Sequence, residues 1–246
     1  MRLTPLRFVV CLALATTVAC GSGSEAPRQG ARATAGPAHD QGAAANQLPD
    51  QISGPRIVIL GDSLTAGLGL ATHEAYPAIL QEYLDAKGLP YKVVNAGISG
   101  DTSAGGLSRL DWALDGDVRI LVVALGGNDA LRGLPVAQLQ DNLARIIERA
   151  QGRGVSVILA GMEAPPNWGT DYTRAFHAVY PSLAKTYNVA LVPFLLEGVA
   201  GVETLNQRDG IHPTAQGDRI VADTVWSVLE PIAARLVTKS EGAAGS

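Results

Sequence analysis

Five short runs of apolar, largely β-branched residues recur along the chain, at positions 56–60, 91–96, 119–125, 155–160 and 189–194. Each run is mainly apolar and shows no regular alternation of polar and apolar positions. This is typical of strands that are buried on both faces of a parallel sheet. Because both faces of such a sheet must be covered, we expect helices between the strands.

Amphipathic segments of helical period lie between these runs. In residues 75–88 the side chains of Ile79, Leu80 and Leu84 fall on one face, and three further segments follow the same pattern. The last of them opens at Pro213, which we expect at the first helical position. Strand and helix therefore alternate, and the pattern predicts an α/β doubly wound fold with a parallel sheet. The further segments are residues 135–154, 171–188 and 213–236.

Polar, glycine-bearing stretches follow the first three predicted strands. They read "GDSLTAG", "GISGDTS" and "GGND". Functional sites in open α/β sheets form at the carboxyl ends of the strands. We therefore expect these three stretches to meet at one edge of the sheet.

The N-terminal part of the chain has a different composition. Two arginines precede "FVVCLALATTVAC", a short apolar run that predicts an export signal over residues 1–19. "TVAC" resembles a bacterial lipoprotein box, with Thr17 where leucine is usual. We favour lipidation of Cys20 and a membrane-anchored periplasmic lipoprotein, with a secreted soluble protein as the alternative.

The next segment, residues 20–54, is rich in Gly, Ala, Ser, Gln and Pro and is predicted to be a disordered tether. One domain is expected over residues 55–238, followed by a disordered tail over 239–246. The formal charge is −4 and no basic run is present, so we expect no nucleic acid partner. Cleavage at residue 20 would leave at most one cysteine and hence no internal disulfide. The oligomeric state is not predicted.

Ser63, in the first polar stretch, is a candidate nucleophile that needs a base to remove its proton. His212 is the best candidate base, because Asp209 lies three residues earlier and its carboxylate can reach Nδ1 of the ring. Nε2 would then face Ser63, as in a catalytic triad. The alternative is that "DGIHP" forms only a turn. Of the other histidines, His39 lies in the predicted tether, His73 lies shortly after Ser63, and His177 lies inside a predicted helix.

Acyl transfer also needs donors for the oxyanion that forms on the substrate. Asn128, in "GGND", offers a side-chain amide, and glycines after the strands allow backbone N–H groups to approach closely. Asn and Asp after two glycines are also ordinary turn residues. Spacing alone does not choose between Gly97 and Gly100 as a backbone donor.

The joint order of "GDSLTAG", "NAGISGDTS", "GGND" and "DGIHP" resembles the SGNH, or GDSL, hydrolase family. "VVNAGISGDTS" and "LGGNDALRGLP" are similar to its branch of bacterial lysophospholipases, acyl-CoA thioesterases and arylesterases. The resemblance covers about residues 56–236. It implies a three-layer α/β/α flavodoxin-like fold with five parallel strands and no metal or other cofactor.

The same resemblance assigns roles to individual residues. Ser63 would be the nucleophile, His212 the general base and acid, and Asp209 the residue that orients the imidazole. The oxyanion hole would consist of the backbone N–H groups of Ser63 and Gly100 with the Asn128 side chain. Five side chains are candidate substrate-binding residues, each with loop packing as the alternative; they are Leu131, Leu134, Met162, Trp168 and Tyr172.

We therefore predict a serine esterase that acts on acyl esters or thioesters, with a small acyl ester or a lipid as its substrate. A carbohydrate O-acetylesterase is the alternative within the enzymes. A non-catalytic lipid-binding lipoprotein is the alternative outside them, although a carrier has no need for all four motifs. Phosphate-loop, dinucleotide-binding, zinc and G-x-S-x-G signatures are absent from the sequence.

Overall fold

The computed structural model describes the backbone of residues 54–244 and the side chains of residues 54–238. The predicted export signal, Cys20 and the tether up to residue 53 lie outside the described residues. Within the described part, no helix has both the length and the hydropathy that a membrane-spanning helix needs.

Five parallel strands form one sheet in the order β2-β1-β3-β4-β5. The strands are β1 (Arg56–Gly61), β2 (Lys92–Gly97), β3 (Val118–Ala124), β4 (Ser156–Ala160) and β5 (Ala190–Val192). The strand order confirms the predicted five-stranded, doubly wound parallel sheet. All six residues of β1 are buried, as predicted for a strand that is covered on both faces, whereas only Ala96 is buried in the edge strand β2.

Eight α-helices accompany the sheet in the described residues. They are α1 (Ser63–Ala66), α2 (Tyr76–Ala86), α3 (Ser103–Ser108), α4 (Leu110–Ala113), α5 (Gly127–Leu131), α6 (Val136–Gln151), α7 (Thr170–Tyr187) and α8 (Ala215–Ala244). Helices α2 and α8 pack together, whereas α6 packs against α3 and α7. These two groups of helices cover the sheet and give the three-layer α/β/α architecture.

Two element boundaries differ from the sequence prediction. Strand β5 has only three residues, and the next bond to the β4 side departs from the regular parallel register, because the N–H of Leu195 donates to the carbonyl of Gly161 at 2.8 Å. Helix α8 begins at Ala215, since Pro213 pairs with Asn206 in an isolated antiparallel bridge and the Thr214 hydroxyl accepts the N–H of Gly217 at 3.3 Å. The helix continues to Ala244, past the predicted end of the domain at position 238, so the tail that was predicted to be disordered over residues 239–246 is helical as far as Ala244.

The strand order places the polar stretches together. The order reverses between β1 and β3, and ligand sites form at such switch points. Ser63 follows β1 and Asn128 follows β3, so both lie at the carboxyl ends of these neighbouring strands.

Candidate active site

Ser63 is the first residue of α1, directly after β1. Asp62 caps this helix, because its Oδ1 accepts the backbone N–H of Leu64 at 3.0 Å. The end of β2 packs closely on the same turn: a Cβ on Gly97 would lie 2.3 Å from the backbone nitrogen of Ala66. Only glycine fits there, and its small size fixes how near β2 comes to the serine.

His212 lies in a loop that is closed by several hydrogen bonds. The N–H of Gln207 donates to the carbonyl of His212 at 2.7 Å, beside the bridge between Asn206 and Pro213. The Gln207 side chain also donates to the carbonyl of Leu68 at 2.7 Å, in the loop that follows α1. Gln207 therefore ties the histidine loop to the segment that carries Ser63.

The structure brings Ser63, His212 and Asp209 into one hydrogen-bonded row. His212 Nε2 lies 2.9 Å from Ser63 Oγ, and His212 Nδ1 lies 2.7 Å from Asp209 Oδ2. The other oxygen of Asp209 accepts the backbone N–H groups of Ile211 and His212, at 2.9 and 3.0 Å. These bonds, with that from the His212 N–H the largest contribution, lower the pKa of Asp209 to about 2.

The predicted oxyanion donors lie near the serine. Asn128 is in the first turn of α5, and its Nδ2 donates to Asp62 Oδ2 at 3.2 Å. Gly100 has φ +85°, which favours glycine, and its carbonyl accepts from Arg132 at 2.8 Å. Among residues 54–238, no acceptor receives the backbone N–H of Ser63 or of Gly100. All three residues border the same cavity.

Asp62 is a buried carboxyl beside Ser63, with 2% of its surface exposed. Burial raises its pKa from 3.8 to about 6, while the bonds from Leu64 and Asn128 oppose the rise. Its two oxygens serve different groups, one capping α1 and the other holding the Asn128 amide. Asp62 therefore links the position of Ser63 to that of Asn128.

Arg109 fastens the ends of two strands beneath the site. Its Nη2 donates to the carbonyl of Gly61 at 2.9 Å, and its Nη1 donates to the carbonyl of Ala96 at 2.7 Å. Its Nε pairs with Asp101, the residue after Gly100, at 2.7 Å. One guanidinium thus holds the segments that present the backbone N–H groups of Ser63 and Gly100.

A buried polar cluster joins the second and third polar stretches. Asp129 accepts the backbone N–H of Ser103 at 2.8 Å and its hydroxyl at 2.6 Å. Asn142, on α6, donates to the same hydroxyl at 3.0 Å. Because Asp129 neighbours Asn128 in the chain, this cluster fixes the start of α5 against α3.

An apolar cavity of about 440 Å³ opens beside Ser63 and His212. Of the candidate substrate-binding residues, Leu131 and Met162 line it, together with Phe194, Leu196 and Ile211. A cavity of this volume is within the range of small-molecule sites, about 300–1,000 Å³. Its lining favours an apolar group over a sugar.

The other three candidate residues lie outside the cavity lining, contrary to the sequence expectation. The Tyr172 hydroxyl donates to the carbonyl of Leu134 at 2.9 Å, and its ring stacks on Phe176 at 6.1 Å between centroids. Trp168 packs over Gly133 and beside Tyr172. These residues support the wall that Leu131 belongs to, and do not themselves form it.

The remaining histidines of the described chain are not part of the row. His73 is exposed in a short 3-10 turn at Thr72–Glu74. His177 is exposed on α7, where its Nδ1 pairs with Glu163, a residue at the cavity. His39 lies outside the described residues. Over the described range, no group of three or more His, Cys, Asp or Glu side chains could hold a metal ion.

Four residues that support the site are not predicted from the sequence, namely Asp62, Arg109, Ser103 and Asp129. Asp62 could have been found, because an aspartate before a helix is a preferred N-cap and this one precedes the candidate nucleophile. Nothing in the local sequence marks Arg109, whose partners lie 8 to 48 positions away in the chain.

Comparison with known proteins places the chain among acyl hydrolases. Residues 59–220 match the GDSL-like lipase/acylhydrolase family. The chain is 46% identical over 186 residues to "Esterase TesA" of Pseudomonas aeruginosa, which covers 75% of this chain and 92% of that protein. It is 40% identical over 177 residues to "Thioesterase 1/protease 1/lysophospholipase L1" of Escherichia coli K12, covering 72% and 84% of the two chains.

Solved structures agree with these sequence relationships. A crystal structure of TesA is similar with a TM-score of 0.69 at 47% identity, over 72% of this chain and 99% of that one. The esterase EstA of a Pseudoalteromonas species, inhibited by monoethylphosphonate, has a TM-score of 0.68 at 33% identity, over 72% and 97%.

Proposed function

Because this chain belongs to the GDSL-like lipase/acylhydrolase family, we propose that it hydrolyses acyl esters or thioesters through an acyl-enzyme on Ser63. Its matched relatives are named as esterases, a thioesterase and lysophospholipase, and an arylesterase, all of which act on ester bonds. The proposal for the reaction path is supported chiefly by the 2.9 Å contact between Ser63 Oγ and His212 Nε2.

In the first half of the proposed reaction, His212 Nε2 takes the proton of the Ser63 hydroxyl as Oγ bonds to the carbonyl carbon of the substrate. The carbonyl electron pair moves onto its oxygen and gives a tetrahedral oxyanion. Asp209 stays ionised, since its pKa is about 2, and it stabilises the imidazolium through Nδ1–H. The imidazolium then protonates the leaving oxygen or sulfur, the bond to it breaks, and the acyl group remains on Ser63.

In the second half, water attacks the acyl carbonyl. His212 takes a proton from that water, a second oxyanion forms, and the proton passes to Ser63 Oγ as the acid departs. The oxyanion of both steps would accept from the N–H groups of Ser63 and Gly100 and from the Asn128 amide. The Nδ2 group of Asn128 has two hydrogens, so one can serve the oxyanion while Asp62 accepts the other.

The proposed substrate has an apolar acyl group. The surface of the cavity beside the serine is mostly apolar, and four of the polar side chains that line it, Asp62, Ser63, Asn128 and His212, belong to the proposed catalytic site itself. This lining favours an acyl ester, acyl thioester or lysophospholipid over an acetylated carbohydrate.

The test is a panel of p-nitrophenyl esters from acetyl to long-chain acyl groups, with acyl-CoA and lysophospholipid beside it. The parent chain is expected to hydrolyse the esters. Ser63→Ala is expected to lower kcat by about a thousandfold or more, because triad residues act as a unit. A Ser63→Ala chain with parental turnover would disprove the proposal.

We also propose that the chain is exported and lipidated at Cys20. The support is the sequence: a charged start, a short apolar run and "TVAC". Mass spectrometry of the mature N-terminus is expected to find a diacylglyceryl group on Cys20, and Cys20→Ser is expected to abolish it. An unmodified N-terminus near residue 20 would indicate a soluble exported enzyme.

A further inference from the structure

Exposed apolar side chains are concentrated at the mouth of the cavity. Among residues 54–238, seven large apolar side chains are 41–50% exposed. Three of them, Leu68, Leu131 and Ile211, also line the cavity. Burying their outer halves would require another molecule, because nothing in the described chain covers them.

Three more of the seven lie beside the lining residues. Ile98 directly precedes Ser99, and Val202 directly follows Gly201, both of which line the cavity. The Trp168 ring packs over Gly133, two positions after Leu131. We define the apolar rim as Leu68, Ile98, Leu131, Trp168, Val202 and Ile211.

The seventh exposed residue lies elsewhere. Trp112 is on α4, where the adjacent Asp111 pairs with Arg149 and Arg153 at the end of α6. Helix α6 leads into the start of β4, so Trp112 belongs to the edge of the sheet at which strands begin. Large exposed apolar groups are therefore gathered around the cavity and are not scattered over the described surface.

We propose that the apolar rim docks onto a phospholipid surface, with the cavity opening directly against the lipid. Contiguous exposed apolar groups on a folded domain mark interaction sites, and tryptophan is favoured at the boundary between lipid and water. An acyl chain could then pass from the lipid layer into the cavity without crossing water. This last step rests on the proposed function, whereas docking itself does not.

Charge favours a lipid surface that is not strongly anionic. The chain has a formal charge of −4, so attraction to anionic lipid is not expected to drive docking. If Cys20 is lipidated, as proposed above, only residues 21–55 separate the lipid anchor from β1, so the anchor itself would hold the domain at a membrane.

The first experiment measures binding without catalysis. The chain from residue 21 onward keeps every described element and lacks both the apolar leader and Cys20. Carrying Ser63→Ala, it is mixed with phosphatidylcholine vesicles and the bound fraction is measured by flotation. We expect binding that high salt does not weaken.

Adding Ile98→Glu and Val202→Glu should lower the partition coefficient about tenfold or more, since two apolar contacts become charged. Adding Trp112→Glu, the matched control, should leave it unchanged.

The second experiment keeps Ser63 and compares two substrates. The Ile98→Glu, Val202→Glu chain should hydrolyse soluble p-nitrophenyl acetate as the parent does, which also shows that it is folded. Its rate on lysophospholipid dispersed in vesicles should fall about tenfold. If the parent chain does not hydrolyse p-nitrophenyl acetate, the proposed function is contradicted. The vesicle-binding result would still stand.

Several results would overturn the docking proposal. The proposal fails if the chain without rim substitutions does not bind the vesicles, or if high salt abolishes its binding. It also fails if Trp112→Glu lowers the bound fraction as much as the two rim substitutions do. Sedimentation supplies another: a dimer that Ile98→Glu and Val202→Glu dissociate would assign the rim to a second copy of the chain.

Discussion

The buried carboxylate of Asp62 holds the amide of Asn128, with 3.2 Å between Oδ2 and Nδ2, across 66 positions of the chain. The same carboxylate caps the helix that begins with Ser63. One side chain thus fixes the positions of the proposed nucleophile and of a proposed oxyanion donor. Asp62 is a positioning residue in this account, because it bonds to Asn128 and to the helix start.

Asp62→Asn is expected to lower kcat with little change in KM. If the oxygen of the new side-chain amide keeps the bond to Leu64 N–H, the NH₂ group of that amide faces the NH₂ group of Asn128. Both groups are donors, so they repel each other. We expect a loss of about tenfold to a hundredfold, and about a hundredfold to a thousandfold for Asn128→Ala. Steady-state kinetics on p-nitrophenyl esters measure both. Asp171→Asn, at a 98% exposed side chain on α7, is the control. An unchanged kcat in Asp62→Asn would contradict the positioning role.

His212 and Asp209 are expected to differ in their contribution to kcat. His212→Ala removes the base and should cost about 10⁵-fold or more, whereas Asp209→Asn should cost about 10²- to 10⁴-fold through the wrong imidazole tautomer. The Asp209→Asn loss should fall mainly on kcat, which a KM-against-kcat comparison reveals. Equal losses in the two variants would show that the carboxylate does more than orient the ring.

Arg109→Lys is expected to weaken both catalysis and stability. A lysine ammonium cannot reproduce the fork that bonds Asp101 and the carbonyls of Gly61 and Ala96 together. We expect kcat to fall about tenfold and the unfolding free energy to fall by about 1–3 kcal/mol. Arg119→Lys is the matched control, since Arg119 is 56% exposed and its one ion pair within the described residues is with Asp117. Similar losses in both variants would contradict this role.

Asp218→Asn is expected to remove part of the pH dependence of stability. Asp218 is 1% exposed and accepts the N–H of Tyr76 at 2.8 Å. Burial raises its pKa from 3.8 to about 7, so between these pH values the folded chain holds a proton that the unfolded chain has released. Stability conferred by that proton is present below about pH 4 and is lost as pH rises through 7, by up to about 4 kcal/mol.

Urea unfolding at pH 5 and pH 8 tests the Asp218 prediction. The asparagine can still accept the Tyr76 N–H, and it carries no buried charge at either pH. The unfolding free energy of the variant relative to the parent should therefore be higher at pH 8 than at pH 5. If the difference in unfolding free energy between variant and parent is the same at both pH values, ionisation of Asp218 does not destabilise the folded chain.

The strands and the contact between Asp209 and His212 could be predicted from the sequence because their signals are local, whereas the pairing of Ser63 with His212, 149 positions apart, was predicted from the joint order of the motifs. Continuous apolar runs mark strands with two covered faces, and the Asp-x-x-His spacing on a turn suits the contact between Asp209 and His212. The contacts of Arg109 and Asp129 could not be read, since their partners meet only after the sheet forms. The sequence could not decide whether Trp168 and Tyr172 line the cavity or pack within the loop. The side of the loop on which each ring packs depends on contacts that form only in the folded chain.

The central claim is that Ser63 carries the acyl group, and trapping that intermediate tests it most directly. The parent chain is mixed with a p-nitrophenyl ester, quenched in acid and analysed by mass spectrometry of its peptides. The account predicts an added acyl mass on the peptide that contains Ser63, and no such mass in Ser63→Ala or His212→Ala. An acyl group found on a different residue, with turnover retained in Ser63→Ala, would contradict it.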